Sequence, residues 1–234
     1  MAILEKTGYK PNLLARTLGS HKTFRVAALI PNPEQDEYWS LSASGVKQAG
    51  EEWSQYGVQV QPFYFDLYDK NSFQECGTKA TQSKPDGILI PPIFHQESLQ
   101  LLQVCREDNI PFVLFNNNLP QEGALSFIGQ DLYQSGRVGA GLLHGNNRSP
   151  GIFAILHVYD DIHNSIHLFE KEKGFKDYFQ EEAGTGFQVK SIDLSYTHEP
   201  TIDKELNELL ADPKLRGLLV TTSKGAYIVS SLLE

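Results

Sequence analysis

Phe24-Arg25-Val26-Ala27-Ala28-Leu29-Ile30-Pro31 is a short, almost unbroken apolar run that ends in proline and opens into Asn32-Pro33-Glu34-Gln35-Asp36-Glu37. A strand wetted on one face alternates apolar and polar residues, whereas an unbroken run suits a strand covered on both faces, as in a parallel sheet. Comparable runs recur at 58–66, 87–91, 111–116, 125–129, 151–157, 187–194 and 215–221. Between them lie stretches with helical apolar spacing at 38–56, 72–83, 96–109, 132–144, 165–182, 202–211 and 225–233. This alternation predicts an α/β fold built of parallel sheets flanked by helices.

Punctuation supports these elements. Pro85, Pro111 and Pro213 stand where they stop the preceding helices, and Gly57, Gly145 and Gly184 stand where left-handed C-caps belong. Within 96–109, Leu101, Leu102, Val104 and Cys105 share one broad apolar face. Four βα units precede Gln130 and three follow Asp131, which predicts two similar lobes, 24–130 and 131–234.

Composition narrows the function classes. The chain has 234 residues, with 20 Lys+Arg against 29 Asp+Glu and a formal charge of −9. The charge is uneven: residues 1–25 carry Lys6, Lys10, Arg16, Lys22 and Arg25 against Glu5 alone, a net +4, leaving −13 for the rest. A basic arm therefore precedes an acidic body. No apolar stretch approaches the length of a membrane span and no secretory h-region opens the chain, so no membrane partner and a cytoplasmic location are expected. Cys76 and Cys105 lie outside any CxxC or zinc-ligand spacing and are expected to be helix thiols. His157, His163 and His167 are close enough in sequence to raise a metal reading, but strand ends followed by polar helix starts produce such groups readily; no metal and no cofactor are expected.

In open α/β sheets ligands bind beyond the C-terminal ends of the strands. Here those ends carry Asp36, Tyr38 and Trp39 after the first strand, Asn116 and Asn117 after the fourth, Asp131 after the fifth, Asn164 beyond the sixth and Thr222 after the eighth. Each taken alone is what a helix N-cap requires. Together, aromatic rings that stack on sugar C–H faces and amides and carboxylates that pair with hydroxyls suit a polyhydroxylated ligand. No GxSxG, GxxxxGK[ST], HExxH or GxGxxG motif is present, so no catalytic residue is expected and the chain is read as not an enzyme.

The stretch Gly8-Tyr9-Lys10-Pro11-Asn12-Leu13-Leu14-Ala15-Arg16-Thr17-Leu18, followed by the strand 24–31, resembles the hinge and first strand of LacI/GalR transcriptional regulators. So do Ile110-Pro111-Phe112-Val113-Leu114-Phe115-Asn116, Ile128-Gly129-Gln130-Asp131 with Gly136, and Lys171-Glu172-Lys173-Gly174-Phe175. The resemblance runs in register across nearly the whole chain. It implies a two-lobed periplasmic-binding-protein type I fold, with residues 1–23 the remnant of a DNA-binding headpiece and a hinge helix over 12–19. It further implies a homodimer on operator DNA, with a small sugar or related polyol closing the interlobe cleft as effector.

On this reading Asn12 caps the hinge helix, Leu14, Ala15 and Leu18 form its apolar face, Leu18 enters a minor-groove step, and Lys10, Arg16 and Lys22 lie near phosphates. The helix-turn-helix itself is absent, so the chain reads as a fragment of a longer regulator. Asn116 and Asn117 occupy the places of an Asp-Arg pair in related sugar-binding proteins, and Thr222 stands where Asn is common. Phe169 stands where an arginine would clamp the ligand, leaving Lys171, or His163 with Asn164, to replace it. The other reading is a stand-alone carbohydrate-binding or sensor protein.

Overall fold

In the computed structural model, residues 22–159, 166–195 and 199–233 are described. They fall into two compact units that part between Ile128 and Gly129. The first unit contains β1 (Phe24–Pro31), α1 (Ser40–Ser54), β2 (Val58–Phe65), α2 (Lys70–Gln82), β3 (Gly87–Ile90), α3 (His95–Glu107), β4 (Phe112–Asn116) and β5 (Ser126–Gly129), the last ending at the boundary. The second contains α4 (Leu132–Asn146), β6 (Gly151–Tyr159), α5 (Ile166–Glu181), β7 (Phe187–Ser195), α6 (Glu199–Leu210), β8 (Leu215–Val220) and α7 (Ser223–Leu233). The α/β fold with parallel sheets flanked by helices is the one the alternating pattern predicts.

The first sheet has the order β2-β1-β3-β4-β5, with β1/β2, β1/β3 and β3/β4 parallel. Among the described residues the second has the order β7-β6-β8, all parallel. In each unit the chain leaves its first strand for a neighbour on one side and then returns to the other side. The reversal makes a topological switch point at the C-terminal ends of β1 and β3, and of β6 and β8, which is where ligands bind in open α/β sheets.

Burial follows these positions. β1 ends in five consecutive buried residues, Ala27 to Pro31, because strands flank it and helices cover it. β2 differs from the expectation of an unbroken buried run. It is an edge strand, and only Phe65 of its eight residues is buried. Phe65 joins Leu29, Phe73, Ile90, Leu102 and Leu114 in the core of the first unit.

β6 shows the period of two inside one strand. Phe153 and Ile155 pack with Ala140, Phe175 and Phe179 on one face, while Ala154, Leu156 and Val158 pack with Leu194, Leu206 and Leu209 on the other.

Two sequence expectations are corrected. Gly145 lies inside α4, which runs on to Asn146 and ends at the extended Asn147, whereas Gly57 and Gly184 do take positive φ. Val104 is 40% exposed while Leu101, Leu102 and Cys105 are buried, because the face of α3 that meets the sheet is narrower than the apolar stripe. Cys76 and Cys105 are free thiols buried in α2 and α3.

Tight helix packing explains two glycines of the second unit, Gly136 and Gly174. A Cβ on Gly136 of α4 would fall 1.9 Å from the Lys171 carbonyl oxygen of α5, and one on Gly174 would fall 1.9 Å from that of Tyr133. The two helices therefore touch backbone to backbone, which only glycine permits.

Candidate functional site

In the first unit, the loop after β1 is held by its own side chains. Asn32 accepts from the Glu34 amide at 3.1 Å, and Asp36 accepts from the Tyr38 amide at 2.9 Å, capping a short 3₁₀ turn over Glu37–Trp39. The cap aims Tyr38 and Trp39 in different directions. Trp39 is 3% exposed and meets the Phe115 ring of β4 edge-on at 6.2 Å. Tyr38 is 54% exposed, stands edge-to-face with Trp39 at 5.2 Å, and donates its hydroxyl to Asn116 Oδ1 at 2.7 Å.

Asn116 occupies the left-handed region at φ +66°, a conformation that asparagine tolerates better than other non-glycine residues. This turns the chain sharply at the end of β4. The following Asn117 is buried, and its amide donates to the Phe115 carbonyl at 2.8 Å. β1 and β4 are not neighbours in the sheet, so the Tyr38–Asn116 bond and the Trp39–Phe115 contact span the end of β3 and tie the strand ends together. Trp39, expected as part of a stacking wall, is instead packed beneath Tyr38. Tyr38 is the exposed member of the pair.

In the second unit the residues singled out by sequence are largely caps. Asp131 accepts from the Gln134 amide at 2.9 Å at the start of α4. Thr222 Oγ1 accepts from the Gly225 amide at 3.1 Å at the start of α7. Lys171 is half-buried and donates to the Thr221 carbonyl at 3.3 Å; burial lowers its pKa from the usual lysine value. Asn164 and His163 lie outside the described residues, as do Lys10, Asn12, Ala15, Arg16 and Leu18.

Beneath this end lies a polar cluster that sequence reasoning missed. His157 is fully buried, with Nδ1 3.0 Å from Thr221 Oγ1 and Nε2 2.9 Å from Glu172 Oε2. Glu172 also accepts from Lys176 Nζ and from Ser191 Oγ. Burial pushes the Glu172 carboxyl upward, but hydrogen bonds from Lys176, Ser191 and His157 outweigh it and hold the group at about 2. Thr221 Oγ1 completes the chain by donating to the Leu156 carbonyl at 3.1 Å, so the cluster ties the ends of β6 and β8 to α5. Its sequence signal was weak because Lys171-Glu172-Lys173 reads as a solvated charge run. Among the described residues no three His, Cys, Asp or Glu gather as metal ligands, and no helix is long and apolar enough to cross a membrane.

Each unit holds a parallel sheet that reverses order beside its first strand, with capped polar loops at the strand ends, which is the doubly wound α/β arrangement in which ligands bind at those ends. The family model described as periplasmic binding protein domain matches residues 26–234. The chain belongs to this family, whose members are binding and regulatory proteins rather than enzymes. No curated protein sequence matches it significantly.

Solved structures share the type I fold. A Bacteroides fragilis protein assigned as a LacI transcriptional regulator superposes with a TM-score of 0.79 at 23% identity, over 91% of this chain and 73% of that one. GanP, a glucose-galactose binding protein from Geobacillus stearothermophilus, gives 0.74 at 19% identity over 91% and 73%. An ABC transporter solute-binding protein from Agrobacterium vitis, bound with α-D-tagatopyranose, gives 0.71 at 18% identity over 90% and 72%.

Proposed function

We propose that the chain is the ligand-responsive core of a LacI-type transcriptional regulator, which binds a small sugar or polyol with the strand-end residues of its two lobes. The observation that carries the ligand class is the Tyr38–Asn116 pair: an exposed aromatic ring locked at 2.7 Å to a strand-end amide, at the reversal point of the sheet. A ring fixed in this way offers a face for sugar C–H groups without the entropy cost of ordering it on binding. Asp36, Asn117, Asp131, Asn164, Lys171 and Thr222 are the proposed hydroxyl partners, with Trp39 holding Tyr38 in place from beneath. The hinge motif Gly8 to Leu18 favours the regulator, a cytoplasmic homodimer that acts on operator DNA through Lys10, Asn12, Ala15, Arg16 and Leu18. Ligand favours one lobe arrangement and so shifts the spacing of the paired hinge helices.

A second reading is a carbohydrate-binding or sensor protein, favoured by the likeness to the glucose-galactose and tagatopyranose binders. Thermal-shift screening against a carbohydrate panel tests the ligand class, with Tyr38→Ala and Asn116→Ala beside the parent. A stabilising sugar whose effect both substitutions abolish supports the site; equal stabilisation in all three proteins removes it. In a protein carrying its DNA-binding headpiece, Leu18→Ala should weaken operator binding and leave the sugar response intact. Unchanged operator binding leaves only the second reading.

A further inference from the structure

A recess of about 1080 Å³ runs along α2 and α3 from the first turn of α3 to the N-terminal ends of β3 and β4. Glu97, in the first turn of α3, lines it and is only 8% exposed. Its Oε2 is buried with no hydrogen-bond partner among the described residues. The α3 dipole favours an acidic group at this position, yet no donor reaches that oxygen, and a carboxylate buried without a donor is costly. The position therefore calls for a cationic donor.

The rest of the recess limits what that donor belongs to. Gln74 Nε2 of α2 donates to Gln100 Oε1 of α3 at 3.1 Å, which leaves the Gln74 carbonyl oxygen as an acceptor. Between these amides and the far end the floor is apolar: Leu101, packed against Gly77, and the exposed Val104. Asp108 lines the far end. It lies eleven positions beyond Glu97, about 16 Å along a helix at 1.5 Å per residue. Asp86 is at the same end, with one carboxylate oxygen accepting from the Arg25 amide at 2.8 Å, and Lys84 is the one cation in the lining. Two carboxylates separated by an apolar strip describe a linear aliphatic chain with an ammonium at each end.

We propose that this recess binds a linear polyamine, with one terminal ammonium on Glu97, its inner ammoniums toward the Gln74 carbonyl oxygen and solvent, its methylenes along Leu101 and Val104, and the other terminus at Asp108. This site is independent of the sugar reading.

Isothermal titration with spermine, whose extended length matches the two acids, and with putrescine, which is too short to reach both, is the test. Spermine should bind at least tenfold more tightly than putrescine. Glu97→Gln should weaken spermine at least tenfold, and the exposed Asp108→Asn should weaken it severalfold. Glu208→Gln, an equal charge change in the second unit, should have no effect. Glu97→Gln should also keep or raise Tm, since it neutralises a buried acid that lacks a donor. Failure of spermine to bind at millimolar concentration overturns the site. So does equal weakening by Glu97→Gln and Glu208→Gln, which would mean attraction to the acidic body alone, or spermine affinity unchanged in both Glu97→Gln and Asp108→Asn.

Discussion

The two units share the 2-1-3 strand order but secure their strand ends by different chemistry. In the first, the ends of β1 and β4 are joined by rings and an amide: Trp39 against Phe115, and Tyr38 to Asn116 at 2.7 Å. In the second, β6 and β8 are joined by a partly buried polar cluster, with His157 and Thr221 buried and Glu172, Lys176 and Ser191 half-buried beside them. Apolar ring contacts are insensitive to pH and salt, and they leave Tyr38 exposed beside the amides. The half-buried Glu172 carboxylate depends on the donors around it, so the second unit's strand ends are conditional on its protonation. The same topology thus tolerates two kinds of latch.

Four substitutions test that contrast, from the largest expected effect to the smallest. Trp39→Ala should cost about 3–5 kcal/mol, the range for deleting a buried tryptophan, and should loosen the Tyr38–Asn116 pair. A smaller loss in chemical denaturation would show that the ring latch is not a packing device.

Gly136→Ala should cost about 3 kcal/mol, because α4 and α5 must separate to admit a methyl group where a carbonyl oxygen now sits at 1.9 Å. A change within experimental error would mean the helices relax freely.

Glu172→Gln should cost about 1.5–3 kcal/mol through lost charge-assisted hydrogen bonds. Because the folded carboxyl sits at about 2 against an ordinary 4.5, its stabilisation is complete above about 4.5 and is lost as pH falls toward about 2. The parent should therefore lose Tm across that window more steeply than Glu172→Gln, and parallel curves would break the contrast.

Tyr38→Phe should cost only about 0.5–1.5 kcal/mol, since one exposed hydrogen bond is removed and the ring remains. Its effect on sugar-induced stabilisation should be smaller than that of Tyr38→Ala. The reverse order would place the hydroxyl, not the ring, in charge of ligand recognition.

Much of the candidate site was visible as residue types, because Asp36, Asp131 and Thr222 follow strands and capping residues are local signals. Their pairings were not visible. Tyr38 and Asn116 are 78 residues apart, and His157 and Thr221 are 64 apart. Glu172 was hidden between two lysines, since a charge run gives no sign of which member turns inward. The burial of Trp39 has a related reason: Tyr38 and Trp39 are adjacent in sequence, but a 3₁₀ turn sends neighbouring side chains in different directions.

The order of strands and helices follows from the sequence alone, because apolar period and helix punctuation are set by residues a few positions apart. So does the uneven charge, with a basic arm before an acidic body. Only the tertiary structure decided which polar residues at the strand ends meet, that Gly136 and Gly174 exist to let two backbones touch, and that Glu97 is buried without a donor. Each of these depends on approaches between segments distant in sequence, where close packing, rather than local preference, selects the neighbour.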